Sequence, residues 1–277
     1  MPSEKIIFIT GVSSGFGRAL AVEAANEGYR VVGTLRNAEQ VSEFDKAVPG
    51  KTYGKLLDIT NMDAIPAAVS EIEKDVGPID VLVNNAGYGQ EGTIEESPLE
   101  DLRQQFEVNV FGTVAVTKAV LPYMRQRRKG HILTITSMGG LTTFPGLGYY
   151  HGSKFALEGI FEALAKEIKP FGIHVTSIEP GGFRTDWAGR SMTRTARSVP
   201  DYDDLFNPLR EARVKRSGNQ PGDPSKAARA MLKVIDSENP PGHLLLGEDA
   251  VRAVREKLAL LRGEIDTWET TSIDTAF

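Results

Sequence analysis

Short apolar runs alternate with longer amphipathic segments along most of the chain. Continuous apolar runs are typical of strands buried on both faces of a sheet, whereas apolar positions three or four apart predict helices. This alternation predicts an α/β fold with a doubly wound parallel sheet of about seven strands and helices on both faces. The strands are predicted near Lys5–Ile9, Arg30–Arg36, Leu56–Ile59, Asp80–Val83, Ile132–Thr136, His174–Ile178 and Leu244–Leu246, and the helices at Arg18–Glu27, Met62–Val76, Leu99–Arg128, Tyr149–Lys169, Pro224–Ser237 and Asp249–Trp268.

The alternation stops between Asp186 and Asp223. This stretch is polar, basic and contains Pro200, Pro208 and Pro221, so we expect it to be irregular. A connection of this length in a compact domain is typical of a functional lid. The length of the chain favours one domain over residues 1–277, with a substrate lid at about 183–223.

A glycine-rich turn follows the first predicted strand and precedes the first helix. Such a turn places backbone N–H groups at a helix N-terminus, where a pyrophosphate is stabilised. The spacing Gly-x-x-x-Gly-x-Gly differs from the commoner dinucleotide fingerprint, so an ordinary strand–turn–helix stays open at this point. The candidate phosphate-binding residues are Gly11, Ser13, Ser14, Gly15, Phe16 and Gly17.

The end of the second strand indicates which nicotinamide cofactor would bind. NAD enzymes place an acidic residue about 20 residues beyond the glycine turn, where it holds the ribose 2′-hydroxyl. Here Leu35 and Arg36 occupy that place. A guanidinium binds a 2′-phosphate that a carboxylate would repel, so the sequence favours NADP(H) over NAD(H). The alternative is a solvated arginine in a turn.

Three further strand ends carry polar or tight turns. The carboxyl ends of parallel strands line the ligand crevice of an open α/β sheet, so these turns are candidate cofactor contacts. Asp58 is placed to meet an adenine edge. The candidates at these turns are Asp58 and Ile59, then Asn85, Ala86 and Gly87, then Pro180, Gly181 and Phe183.

The stretch from Ser137 to Lys154 carries the candidate chemistry. Tyr150 and Lys154 are four residues apart on a predicted helix and therefore share one face. A neighbouring ammonium favours the phenolate, so we expect the pKa of Tyr150 to be drawn down towards neutrality. With the Ser137 hydroxyl close by, the pair suits proton exchange with an alcohol or carbonyl oxygen. Taken alone, the pair also fits an amphipathic surface helix.

Composition narrows the class of protein. The net charge of −5 argues against a nucleic-acid partner. The absence of cysteine excludes thiol nucleophiles and thiolate metal sites, and the four histidines are scattered, so no metal is expected. No signal peptide or membrane span is apparent, and we expect a soluble cytoplasmic protein with no membrane partner.

The ordered set of motifs resembles the short-chain dehydrogenase/reductase family. The set comprises Thr10-Gly11-x-x-x-Gly15-x-Gly17, Asn84-Asn85-Ala86-Gly87, Asn109, Ser137, Tyr150-x-x-x-Lys154 and Pro180-Gly181. Segments around Asn109 and Pro180 look like the branch related to 17-beta-hydroxysteroid dehydrogenases. The resemblance implies a Rossmann-like fold and hydride transfer between nicotinamide and a substrate carbon.

The resemblance also implies roles for single residues. Tyr150 would be the catalytic acid/base, Ser137 would bind the carbonyl oxygen, and Lys154 would lower the Tyr150 pKa and hold the nicotinamide ribose. Asn109 would hold a water in a proton relay to Lys154. Thr185 would contact the nicotinamide carboxamide. Dimers or tetramers would form through the helices that contain Asn109 and Tyr150.

The substrate is expected to be a mostly hydrophobic ketone, aldehyde or alcohol. The alternative for the candidate wall residues is that they pack the lid on the core. A non-catalytic NADP(H)-binding sensor or scaffold is the second functional hypothesis, and a lyase or isomerase on this fold is a third. The candidate substrate contacts are Met138, Leu141, Phe144, Tyr149 and Trp187.

Overall fold

The central sheet of the computed structural model contains seven parallel strands within the described residues, 4–275 and 277. Their order across the sheet is β3-β2-β1-β4-β6-β7-β9, with β1 paired to both β2 and β4. The chain therefore winds outward in both directions from β1, as the sequence predicts. The strands are β1 (Ile6–Ile9), β2 (Arg30–Leu35), β3 (Thr52–Leu56), β4 (Ile79–Asn84), β6 (Gly130–Ile135), β7 (Ile173–Pro180) and β9 (His243–Leu246).

Helices cover both faces of this sheet. They are α1 (Gly15–Asn26), α2 (Ala38–Asp45), α3 (Ile65–Glu71), α4 (Leu99–Phe106), α5 (Thr113–Arg127), α6 (Gly148–Ile168), α7 (Asp203–Arg216), α8 (Pro224–Ile235) and α9 (Glu248–Ile273). A π-helical turn, Glu107–Gly112, joins α4 to α5. Within the described residues, no helix is both long enough and apolar enough to span a membrane.

The sequence of β1 is continuously apolar because the strand is buried on both of its faces. All four residues of β1 are buried. Ile7 and Ile9 face one hydrophobic cluster, and Ile6 and Phe8 face the cluster on the other side of the sheet. Successive side chains of a strand point to opposite faces, so a strand covered by helices on both sides needs apolar residues at every position.

The segment 186–223 is more ordered than the sequence indicates. It contains a short strand, β8 (Met192–Arg194), and the helix α7. The expectation of an irregular segment is therefore wrong. Pro208 lies inside α7, and Phe206 is the buried residue of that helix, so neither composition nor apolar periodicity reveals it.

A second, two-stranded parallel sheet joins this segment to the crevice. It pairs β5 (Gly89–Glu91), which follows β4, with β8. The pairing places Met192 opposite Gly89. Residues about a hundred positions apart are thereby fixed at the carboxyl ends of the central strands.

Candidate active site

The glycine turn is folded tightly against the end of β4. Gly11 and Gly15 have positive φ angles of 72° and 60°, which glycine adopts without strain. The Asn85 amide donates to the carbonyl oxygens of Thr10 and Gly11 at 2.9 and 2.7 Å. A β-carbon at Gly17 would lie 2.3 Å from the Gly11 oxygen, so any larger residue would displace the turn.

The N-terminus of α1 has the features that a phosphate requires. Its first turn carries no acidic residue, and the Ser14 side chain makes no capping hydrogen bond within the described part of the chain. Helix N–H groups at such an end are available to an anion. Thr185 lies over this turn, since a β-carbon at Gly15 would stand 3.6 Å from its side chain. Phe16 and Phe183 stack edge to face, with centroids 5.1 Å apart.

Arg36 is exposed at the end of β2, immediately before the helix cap Asn37. Leu35, in contrast, is buried in the core. Thr34, two residues before Arg36, accepts a hydrogen bond from the Gly11 amide at 2.9 Å, so the exposed Arg36 follows a strand end that contacts the glycine turn. The donor set, free helix N–H groups and a nearby exposed cation, fits a phosphorylated dinucleotide.

The remaining predicted cofactor residues lie at the same edge of the sheet. Asp58 is exposed, and its carboxylate accepts hydrogen bonds from the Thr60 amide and hydroxyl, while Ile59 packs against Gly112. Gly181 donates to the Leu246 carbonyl at 2.8 Å. Pro180 is buried at the end of β7. Ala86 contacts the turn at Gly11, and Ser13 is exposed on it.

Tyr150 is buried near the start of α6. Its pKa is raised, whereas the sequence led us to expect a lowered pKa. Burial raises the pKa of Tyr150 to about 12, because a phenolate loses hydration there, and interaction with the Ser137 hydroxyl acts in the opposite direction. The expected lowering by Lys154 is therefore wrong for the free protein. The Lys154 Nζ lies 5.8 Å from the Tyr150 ring centroid, and burial is the largest influence on the pKa of the phenol.

Lys154 is buried and directed at the end of β6. Its Nζ donates to the Ile135 carbonyl oxygen at 2.8 Å. Burial lowers the pKa of Lys154 to about 8, and the Glu158 carboxylate opposes that shift. Because Glu158 lies four residues further along α6, Lys154 has a carboxylate on its own helix face. The lysine therefore changes charge close to neutral pH.

Asn109 occupies the π-helical turn and is buried. Its amide nitrogen donates to the Tyr88 carbonyl and to the Ser153 hydroxyl, each at 3.1 Å, and its oxygen accepts from the Tyr88 amide at 3.1 Å. A β-carbon at Gly87 would lie 3.0 Å from this oxygen and 3.8 Å from Lys154 Nζ. Gly87, Asn109 and Lys154 thus converge on one point.

An apolar wall surrounds Tyr150. The Trp187 ring lies 5.1 Å from the Tyr150 ring, and Phe144 packs in the same cluster. Leu147 and Met192 also belong to it, although the sequence did not single them out. Met192 was missed because the β5–β8 pairing that brings it here joins distant parts of the chain. Met138 and Leu141 are half-buried on the preceding loop and stay candidate contacts.

The residues beside Tyr150 hold the loop in place. The Tyr149 hydroxyl donates to the Ser97 carbonyl at 2.8 Å, so this tyrosine anchors the α4 side of the crevice; its proposed substrate contact stays a prediction. His151 accepts from the Phe144 amide at 2.9 Å through Nε2, which leaves Nδ1–H to donate to the Gly139 carbonyl at 2.8 Å. The histidine therefore braces the loop that carries Ser137.

Three side chains that could ligate a metal lie close together one helical turn beyond Lys154, where α6 meets β7 and β9. Ligand atoms of Glu158, Glu179 and His243 lie within 4.8 Å of one another. Neither oxygen of the buried Glu158 accepts a hydrogen bond from a described residue. Burial raises the pKa of Glu179 to about 7, and the His243 ring lies 2.6 Å from it. Spacing along the chain could not predict this cluster, because its members come from three elements.

A buried acid ties the segment 186–223 to the crevice. Glu91, on β5, is fully buried and contacts Arg194 Nε at 2.8 Å and Arg213 Nη1 at 2.7 Å. Arg213 also donates to the Pro145 carbonyl oxygen. Helix α7 is thereby attached both to β5 and to the loop between Ser137 and Tyr150.

Known proteins share this sequence and architecture. The sequence profile described as short chain dehydrogenase matches residues 5–195. The 3-ketodihydrosphingosine reductase of Bacteroides thetaiotaomicron is 38% identical over 245 residues, which cover 88% of each chain. A short-chain dehydrogenase from Streptomyces avermitilis is 39% identical, with a TM-score of 0.93 and full coverage of both chains. ElxO with NADP bound is 25% identical, with a TM-score of 0.72, and covers 87% of this chain and 96% of its own.

Proposed function

We propose that this chain, which belongs to the short-chain dehydrogenase family, is an NADP(H)-dependent oxidoreductase that interconverts a ketone or aldehyde and an alcohol. The observation that carries the proposal is the placement of Tyr150. Its phenol is buried among apolar side chains, interacts with Ser137, and lies on one helix face with Lys154. This arrangement positions a proton donor where a substrate oxygen can reach it.

The protonation of Tyr150 suits carbonyl reduction. With its pKa raised to about 12, the phenol carries its proton at neutral pH and donates it to the oxygen of a bound carbonyl. Ser137 orients that oxygen through its hydroxyl. In the reverse direction, Tyr150 must first lose its proton, which requires a cation nearby. Lys154 would supply that charge. A water held by Asn109 would relay protons to Lys154, since the Asn109 oxygen and Lys154 Nζ both lie beside Gly87.

The glycine turn and Arg36 would hold the cofactor. The free N–H groups at the start of α1 would bind the pyrophosphate, and the exposed Arg36 would bind the 2′-phosphate. Thr185, which lies over Gly15, would contact the nicotinamide end. When bound, the nicotinamide supplies or accepts the hydride, and the protein supplies position and proton transfer. ElxO, which has NADP bound in its structure, supports this choice of cofactor.

The substrate pocket favours an apolar molecule with one carbonyl or hydroxyl group. Phe144, Leu147, Trp187 and Met192 surround Tyr150, so the reacting oxygen would be its polar anchor in an apolar site. The relative from Bacteroides thetaiotaomicron bears the name of a ketone reductase, which supports the reaction class. The segment at about 183–223 would close over this substrate as a lid, because Trp187 and Met192 belong to it.

Two exposed phenylalanines support the expected homo-oligomer. Phe111 is 53% exposed beside Asn109, and Phe155 is 42% exposed on α6, one turn after Tyr150. Large apolar side chains at adjacent helix surfaces are typical of an interface. A dimer or tetramer through these helices would cover both residues.

A chain-length series tests the proposed activity. Purified protein is mixed with NADPH and with methyl ketones and aldehydes of increasing chain length, and cofactor consumption is followed by absorbance. We expect kcat/KM to rise with apolar length and NADH to be a poorer cofactor. NADPH binding without turnover across the whole series would instead favour the sensor or scaffold. Product formation without net cofactor oxidation would favour a lyase or isomerase.

A further inference from the structure

The C-terminal two-thirds of α9 extends away from the domain. Ala250 and Val254 are the buried residues at its start. From Leu258 to Thr275 every residue is exposed. The exposed helical part, residues 258–273, is about 24 Å long, at 1.5 Å per residue. Most helical stability in proteins comes from packing of an apolar face, and this part of the helix has no such packing within the described chain.

An apolar stripe runs along the uncovered helix. Leu258, Leu261, Ile265 and Trp268 follow one another at spacings of three, four and three residues. These spacings are the a and d positions of a heptad repeat, which form the seam of a two-stranded coil. The four side chains are 42–63% exposed. Val254 and Ser272 extend the same stripe at each end.

We propose that this stripe binds the same stripe of a second copy in antiparallel orientation. A register that places Leu258 opposite Trp268 of the second copy also places Leu261 opposite Ile265 of that copy. By symmetry, all four apolar residues of each helix are then covered. Each a position faces a d position of the other helix, which is the arrangement that knobs-into-holes packing requires in antiparallel coils.

Charges beside the stripe select this orientation. Residues of the same flank meet in an antiparallel coil, so Arg255 lies close to Glu269 of the second copy, twice in the dimer. Like charges meet at the axis, where Arg262 and Glu264 each approach their counterparts. Arg262 is already within 3.7 Å of Asp266 on its own helix. The antiparallel dimer thus has two attractive Arg255–Glu269 pairs and two like-charge pairs at its axis, of which the Arg262 pair is partly neutralised by Asp266.

In a parallel coil, like charges would face each other at both positions where charged residues of the two helices meet. In that orientation each g position faces the e position five residues further along the other helix. Lys257 would then face Arg262, and Glu264 would face Glu269. Opposing like charges disfavour an orientation. The sequence around the stripe therefore disfavours the parallel pair and is compatible with the antiparallel one.

Single cysteines distinguish the orientations, because the chain has no cysteine of its own. The variants Leu258→Cys and Trp268→Cys are purified separately, mixed, and oxidised under mild conditions. We expect a disulfide between the two variants in the mixture, and little disulfide within either variant alone. Disulfides within each variant alone would show parallel pairing and would overturn the proposal. Absence of any disulfide would overturn it too, including where another partner covers the stripe.

Sedimentation of stripe variants gives a second test. Leu261→Glu places a charge within the stripe, whereas Leu260→Glu changes the neighbouring exposed leucine, which lies off it. We expect Leu261→Glu to lower the association state, by a factor of two in mass, and Leu260→Glu to leave it unchanged. Circular dichroism at matched concentration confirms that the domain of each variant is folded. Equal masses for both variants would contradict the proposal, whether or not another interface assembles the protein.

Discussion

The Lys154 ammonium lies 5.8 Å from the centre of the Tyr150 ring, yet its hydrogen bond goes to the Ile135 carbonyl oxygen. The lysine is thus anchored to the sheet and acts on the phenol through space. Burial lowers the pKa of Lys154 to about 8, and Glu158 counteracts this. The charge beside Tyr150 therefore depends on a buried carboxylate one turn beyond Lys154 on the same helix.

Replacing Glu158 by Gln tests this dependence. Without the carboxylate, the pKa of Lys154 falls further, so its charge is lost at lower pH. Proton donation by Tyr150 leaves a phenolate, which the Lys154 charge stabilises. We therefore expect the alkaline limb of kcat/KM for carbonyl reduction to move to lower pH, with kcat/KM reduced several-fold at pH 8 and little changed at pH 6. The matched control is Glu162→Gln, one turn further along α6, where the side chain is exposed and paired with Lys166. A limb that does not move would show that Glu158 has no part in the charge of Lys154.

Arg36→Ala tests the cofactor preference. The exposed guanidinium is expected to bind the 2′-phosphate, and hydrogen bonds to charged groups contribute about 1.5–3 kcal/mol. We therefore expect NADPH affinity to fall roughly tenfold or more, while NADH affinity stays the same and serves as the internal control. Fluorescence titration of the nicotinamide measures both. An equal loss for the two cofactors would place the role of Arg36 elsewhere. Replacing Leu35 is a poorer test, because that side chain is buried in the core.

Trp187→Ala tests the substrate wall. Trp187 is half-buried and packs against the Tyr150 ring, and a long apolar substrate that covers it would gain about 1.5–3 kcal/mol of apolar contact. We expect KM for long apolar carbonyls to rise roughly tenfold, and KM for short ones to change little. Leu260→Ala, on the exposed part of α9 and off the apolar stripe, is the control. If chain-length dependence survives the loss of Trp187, that residue only packs the lid on the core.

Glu91→Gln tests how the lid segment is held. The buried carboxylate joins Arg194 and Arg213, and removing one partner of a buried ion pair costs about 3–5 kcal/mol. We expect faster hydrogen exchange and proteolysis between Met192 and Arg216, with a higher KM. The control is Glu95→Gln, whose exposed carboxylate binds only the Tyr202 hydroxyl among its described contacts. Unchanged exchange in this segment would show that Glu91 does not restrain it.

The central sheet could be predicted because local sequence determines it. Strands covered on both faces appear as apolar runs in the chain, as in Ile6–Ile9. The third strand, predicted near Leu56–Ile59, instead lies at Thr52–Leu56, because its residues are mostly half-buried and do not form an apolar run. The long predicted helix around Asn109 is confirmed, with a π-helical turn at the polar residue. Helix α7 escaped prediction because Pro208, a residue that disfavours helix, lies inside it, and because Phe206 is its buried residue. A segment that buries few apolar side chains shows little apolar periodicity in its sequence, so its secondary structure is hard to predict.

The site could be predicted in its residues but not in its electrostatics. The spacing of Tyr150 and Lys154 correctly places them on one helix, yet the direction of the Tyr150 pKa was wrong, because burial is a property of the folded chain. Likewise, Glu91 meets its arginines only after a hundred residues of intervening chain are folded. The roles assigned to the individual site residues remain predictions.

The most direct measurement of the proposed mechanism is turnover by the Tyr150→Phe variant, with NADPH binding measured on the same sample. The change removes the proton donor and keeps the ring that packs on Trp187. We predict that kcat for carbonyl reduction falls roughly 10²–10⁴-fold while NADPH affinity is retained, and that Tyr149→Phe keeps most of its activity. Turnover by Tyr150→Phe at the wild-type rate would contradict the account.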